Sequence, residues 1–157
     1  MKKQSLIILS TVILVVILSL TLFSCGQSST YKATDIKGRE ITAKVNANGT
    51  KVDFTYYGEF IKPTSNNEVD IKKDAKFQVT SAITTDLKII SFKVDQVNYT
   101  VTKNKEEYVV EKNGEPVNEI IKTQAILVFK LCENIKLSED KKELFAGGNI
   151  YILEERK

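Results

Sequence analysis

The chain contains no histidine and no tryptophan, and only two cysteines, two prolines and seven glycines among its 157 residues. Each shortage excludes something. Without imidazole there is no Ser-His-Asp triad and no histidine ligand for zinc, so acid–base chemistry at neutral pH would fall to carboxylates alone. The sparse glycines include no phosphate-cradling loop and no EF-hand loop. An excess of either charge is also missing: the formal net charge is +3, and Lys2 and Lys3 precede an apolar N-terminal run, so the rest carries 21 Lys+Arg (23 less 2) against 20 Asp+Glu. Lysines occur at most in pairs such as Lys72-Lys73 and Lys141-Lys142, which leaves no electrostatic footprint for nucleic acid. No cofactor is implied.

One long hydrophobic run is present. Lys2-Lys3, the apolar segment Leu6 to Phe23 and then Leu22-Phe23-Ser24-Cys25 form the three parts of an export signal. The cations hold the amino terminus on the cytoplasmic side while the apolar run enters the bilayer and the rest is translocated. This arrangement resembles the type II signal peptide of bacterial lipoproteins, whose lipobox places an aliphatic residue three before the cysteine and a small one directly before it. Leu22 and Ser24 match, and Phe23 between them is similar to relaxed, spirochaete-type lipoboxes. The resemblance implies cleavage between Ser24 and Cys25 and attachment of diacylglycerol to Cys25. It divides the chain into a signal peptide (1–24), a lipidated tether (25–30) and a β-rich extracytoplasmic domain (31–157), held on the cell membrane or outer membrane. The alternative is an uncleaved membrane helix, because the run reaches the roughly 18 apolar residues that span a bilayer. With Cys25 carrying lipid, Cys132 has no partner within the chain and no disulfide forms.

Beyond Tyr31 the pattern is one of short alternating segments. Arg39 to Asn46 and Lys51 to Phe60 flank Asn48-Gly49, a strong hairpin signal. A turn there sets Val45 opposite Val52, Ala43 opposite Phe54 and Ile41 opposite Tyr56 on one face, with Lys44 opposite Asp53 and Thr42 opposite Thr55 on the other. Ile61 to Lys76 reads as a loop, followed by strands over Phe77 to Ile83 and Leu87 to Val94. A second hairpin joins Val97–Thr102 to Glu106–Glu111 through Asn104-Lys105, with Val101 facing Tyr108 and Tyr99 facing Val110. Asn113-Gly114 is a further turn, and Pro116 makes the strand from Glu115 to Lys122 short and places it at an edge. Ala125 to Cys132 is the most apolar part of the domain and reads as a central strand covered on both faces, with Cys132 as a small buried hydrophobe. Residues 138–146 fit either one short helix or a charged hairpin turn, before a last strand from Ile150 to Leu153. The fold class expected is therefore all-β: a single antiparallel meander sandwich or small barrel of about 8–10 short strands, with the signal or anchor helix in front.

Candidate chemistry is thin. Asp53 and Glu59 share the outer face of one strand with Tyr57 between them, too far apart to act as a carboxylate pair, and Lys44 is the expected partner of Asp53. Asp70 and Asp74 are weak as calcium ligands. Tyr56-Tyr57 reads as one core and one surface aromatic rather than a sugar platform. The asparagines of Asn48-Gly49-Thr50 and Asn98-Tyr99-Thr100 match glycosylation sequons, but the bacterial signal favours the turn reading for the first. With no catalytic residues and no metal site, the expectation is a non-catalytic binding or interaction module of the cell envelope, touching a protein, an envelope polymer or a small apolar ligand. A carrier with a calycin-like barrel and a carboxylate-dependent envelope enzyme are the alternatives. Phe54, Tyr56, Phe77, Tyr99, Tyr108 and Phe129 on inward faces predict a filled core, with binding through loops or an exposed edge.

Overall fold

The computed structural model describes residues 26–65 and 68–154. The signal segment, Ser24 and Cys25 lie outside the described residues, as does the extreme C-terminal end. Eleven strands run β1 (Ser29–Thr34), β2 (Glu40–Val45), β3 (Lys51–Pro63), β4 (Val69–Ala82), β5 (Ile89–Val94), β6 (Val97–Asn104), β7 (Glu107–Lys112), β8 (Glu115–Pro116), β9 (Lys136–Leu137), β10 (Glu143–Ala146) and β11 (Asn149–Leu153). Among the described residues one helix, α1 (Glu119–Cys132), lies between β8 and β9. The strands form one sheet in the order β8-β7-β6-β5-β4-β3-β2-β1-β11-β10-β9, so the expected antiparallel meander is present. The strands form one sheet and not two; α1 packs against its β3, β6 and β7.

Period-two alternation of apolar residues assembles the core. Cross-strand pairing lines up Tyr31, Ala43, Phe54, Val79, Phe92 and Tyr99 in one row across β1 to β6. All six are buried, and the buried hydrophobics of the described residues form one cluster. Such rows stabilise a sheet because opposed side chains approach closely and leave water together.

The first hairpin keeps the expected register, with Val45 opposite Val52, Ala43 opposite Phe54, Lys44 opposite Asp53 and Thr42 opposite Thr55. Its loop differs from a two-residue turn. The N–H of Gly49 bonds the carbonyl of Asn46, and the Asn46 side chain accepts from the N–H groups of Thr50 and Lys51 at 2.8 and 2.9 Å. Only Gly49 of the Asn48-Gly49 pair has positive φ, at 69°. The wider loop preserves the register because it adds one residue to each side.

Three expectations are corrected and one open alternative is decided. Ala125 to Cys132 is not a central strand but the second half of α1. Ile121, Ala125, Val128, Phe129 and Cys132 form the buried stripe, while Leu127 and Leu131 are 58% and 42% exposed. Spacings of three and four residues on one face are helical, and an apolar octapeptide alone does not distinguish that period from a buried strand. Asn118 supplies the start, its Oδ1 accepting the N–H of Ile121 at 3.0 Å. Of the two forms open for residues 138–146, the charged hairpin turn holds and the helix does not: they form the β9–β10 turn and β10, and Gly147-Gly148, both with positive φ, closes the hairpin to β11. Ile61 to Lys76 is mostly strand, since β3 and β4 extend to Pro63 opposite Val69, with a bulge between Gly58 and Phe60. Lastly, Val101 faces Val110 and Lys103 faces Tyr108, because the β6–β7 turn sits one residue later, at Lys105-Glu106. The edge strand is shorter than expected, two residues at Glu115–Pro116.

Candidate functional site

At the end of the sheet where β1 turns into β2, the packing leaves a cavity of about 460 Å³. Its floor is built from Ile41, Phe54, Tyr56, Cys132 and Tyr151, contributed by β2, β3, α1 and β11. Phe54 and Tyr151 meet with ring centroids 5.8 Å apart, and Tyr56 stacks on Phe77 at 5.1 Å. The β10–β11 turn closes one side, where Gly147 lies against Leu131 of α1. Under α1 Phe129 is fully buried edge-on to Tyr108, but Phe54 and Tyr56, expected to help fill the core, line this cavity instead.

The sequence Asp35-Ile36-Lys37-Gly38-Arg39 forms one lip. Asp35 Oδ1 accepts the backbone N–H groups of Lys37 and Arg39, both at 2.9 Å, and Gly38 takes φ of 77° to close the turn. The Arg39 guanidinium then bonds Asp35 Oδ2 at 2.7 Å and Asp74 Oδ1 at 2.8 Å, with its Cζ 4.6 Å from the centre of the Tyr57 ring. Lys37 adds a second cation to Asp74 at 2.6 Å. The backbone N–H and guanidinium of Arg39 hold Asp35 below the usual carboxylate range, and the Lys37 ammonium does the same for Asp74. At the tip, the Ile36 side chain stands fully exposed.

Inside, the polar groups are few and neutral. Burial pushes Tyr151 and the Cys132 thiol each up to about 12, the Ser81 hydroxyl offsetting part of the effect on the thiol, and burial also raises Tyr56. All three stay protonated at neutral pH, so Cys132 is no nucleophile here. Among the described residues neither the Tyr56 nor the Tyr151 hydroxyl has a hydrogen-bond partner, and neither is sealed from the cavity. The walls are thus apolar and aromatic, with two open hydroxyls; at the rim Asp35, Arg39, Asp74 and Lys37 pair with one another, while Glu59 and Lys73 also line the cavity outside that network.

Of the residues singled out from sequence, Tyr56, Tyr57, Glu59 and Cys132 line this cavity. Asp53 does not: it lies outside, accepting from Thr80 Oγ1 at 2.6 Å rather than forming the expected pair with Lys44, which nevertheless faces it in register. Asp70 faces Lys62 across β3–β4, away from Asp74, and the described residues contain no group of three potential metal ligands. Asp35, Arg39, Leu131 and Tyr151 were missed. An Asp-x-x-Gly turn signal marked the first of these, but nothing local showed that it would meet Tyr151, over a hundred residues on. No helix among the described residues is long and apolar enough to cross a membrane. Compared with protein-family models, with curated protein sequences and with solved structures, the chain finds no match.

Proposed function

We propose that this chain is a membrane-anchored lipoprotein, tethered through lipid on Cys25, whose extracytoplasmic domain binds a small, uncharged, mainly apolar ligand without chemically changing it. The cavity carries the reading. A concave site of about 460 Å³ with mostly apolar walls and a few convergent polar groups falls in the size range of small-molecule sites. An ionised ligand is disfavoured, because burying a charge is costly, the Asp35, Arg39, Asp74 and Lys37 groups at the rim are already paired, and the two remaining lining charges, Glu59 and Lys73, are of opposite sign. The Tyr56 and Tyr151 hydroxyls, able to donate and accept, suit one hydrogen-bonding group at the inner end of such a ligand. The carboxylates nearby are individually paired or far apart, which gives a glycosidase-type mechanism no support.

Two measurements test the two halves. Replacing Cys25 by alanine should abolish labelling of the protein by a radioactive fatty acid, and persistent labelling refutes the lipid site. For the cavity, the domain from residue 26 onward should take up an uncharged naphthylamine fluorophore saturably. Tyr56→Phe combined with Tyr151→Phe should weaken that uptake about tenfold, since a hydrogen bond contributes about 0.5–1.5 kcal/mol. The same pair should leave stability within about 0.5 kcal/mol, because no protein partner is lost. Uptake that never saturates, or that ignores both tyrosines, sinks the reading.

A further inference from the structure

We infer that the cavity opens away from the bilayer that holds the chain, so that its ligand is exchanged with the far side and not drawn from the anchoring membrane. This rests on the tether proposed above, and holds equally for a lipid on Cys25 and for an uncleaved helix ending there. The argument is one of connectivity. Gly26 lies against Ala47 in the β2–β3 loop, and Ser29 pairs with Val45, so the chain leaves the membrane and enters the sheet at that end. Cys25 is one peptide unit, about 3.8 Å, from Gly26. Thr34 pairs with Glu40 at the opposite end of the same two strands, and the Asp35–Arg39 lip of the cavity follows directly. The six residues of β1 separate the two ends by about 20 Å at ~3.3 Å per residue.

The surface of the tethered end agrees. The β2–β3, β4–β5, β6–β7 and β9–β10 turns all lie there, as the pairings of Lys51 with Ala82, Asn104 with Glu107 and Leu144 with Leu137 require. Across turn residues 46–50, 84–86, 105–106 and 138–142, only Ala47 and Gly49 lack a polar side chain. An end of that composition lies against headgroups without inserting. Exposed apolar side chains occur at both ends, Ile36 on the β1–β2 turn and Ile150 beside the β10–β11 turn at the distal end and Ile89 beside the β4–β5 turn at the tethered end, so the orientation rests on connectivity.

The test uses the full chain in phosphatidylcholine vesicles containing bromine-labelled phosphatidylcholine, with a thiol-reactive fluorophore on Asn48→Cys or Ile36→Cys. Both positions are exposed, the buried Cys132 does not compete for label, and Cys25 is blocked by its lipid or, in the uncleaved helix, replaced by serine (Cys25→Ser). The fluorophore at 48 should be quenched strongly and the one at 36 should keep its intensity. Equal quenching, stronger quenching at 36, or quenching at neither in protein that floats with the vesicles overturns the orientation. Protein that does not float overturns tether and orientation together, while naphthylamine uptake by the domain still judges the cavity separately.

Discussion

At the end of the sheet where the chain enters, short turns join neighbouring strands and the strands stop nearly in line, with Lys51 opposite Ala82 and Asn104 opposite Glu107. At the other end β3 and β4 run on past their neighbours to Pro63 and Val69, a bulge interrupts them at Gly58 and Phe60, and the cavity opens beside that bulge. The Gln124 side chain of α1 replaces the missing neighbour strand there. Its Oε1 accepts the Ile61 N–H at 2.7 Å and its Nε2 donates to the Ile61 carbonyl at 2.8 Å. One end is closed by local turn geometry, which short sequences specify. The other depends on a helix and on strands distant in sequence, and that is where unfilled volume and open polar groups collect. Binding sites need such irregularity, because a fully regular sheet end satisfies its own groups and leaves nothing for a ligand.

The comparison can be broken most severely through the helix that both ends share. Phe129→Ala removes a fully buried ring and should lower unfolding free energy by about 3–5 kcal/mol, read from urea midpoints. A loss under about 1 kcal/mol would mean α1 is not the element that completes the core.

Matched substitutions at the two ends sharpen it. Gly49→Val in the entry-side loop should cost more than about 1 kcal/mol, because φ of 69° is strained for a β-branched residue. Gly147→Val should cost more. It adds to the same strain, at φ of 56°, a new Cβ only 3.2 Å from Leu131 Cδ2 on the cavity wall. Equal melting midpoints for the two variants would show that Leu131 yields freely and that the cavity wall is soft.

The gentlest perturbation is alkaline pH, which at the cavity end acts on Cys132 and Tyr151. Cys132 and Tyr151 titrate from ordinary values of 9.0 and 10.0, and burial raises each to about 12. Between those limits the unfolded chain has released protons that the folded chain keeps. Their contribution to stability is therefore complete below pH 9 and is lost progressively as pH rises through 12. Urea midpoints on either side of that window should fall with pH, less so for Cys132→Ala. Midpoints that do not move would mean the groups are hydrated in the folded state.

The β2–β3 hairpin could be placed to the residue because its information is local: alternation sets the inward face, and Asn48-Gly49 sets the fold-back point. The β6–β7 register was missed by one turn position since Asn104, Lys105 and Glu106 are all acceptable turn residues, and the choice fell to cross-strand packing of Val101 on Val110. Ala125 to Cys132 was misread for a different reason. Its residues are apolar at nearly every position, and their period shows only when Asn118 and Ile121 are included as the helix start. The long β3–β4 arm was hidden by charge. Val69 to Asp74 is exposed along its length, so no inward alternation marks it as strand.

By itself the sequence determined the absence of histidine chemistry and the antiparallel, turn-rich character of the domain, because residue inventory and period-two alternation are local quantities. Only the tertiary structure decided that the strands make one sheet holding one helix, that Asp35 and Arg39 meet Tyr57 and Asp74, and that Tyr56, Cys132 and Tyr151 share one cavity. Those contacts join residues far apart in the chain. Their existence depends on how a curved sheet and a fourteen-residue helix fill space together, which no single segment encodes.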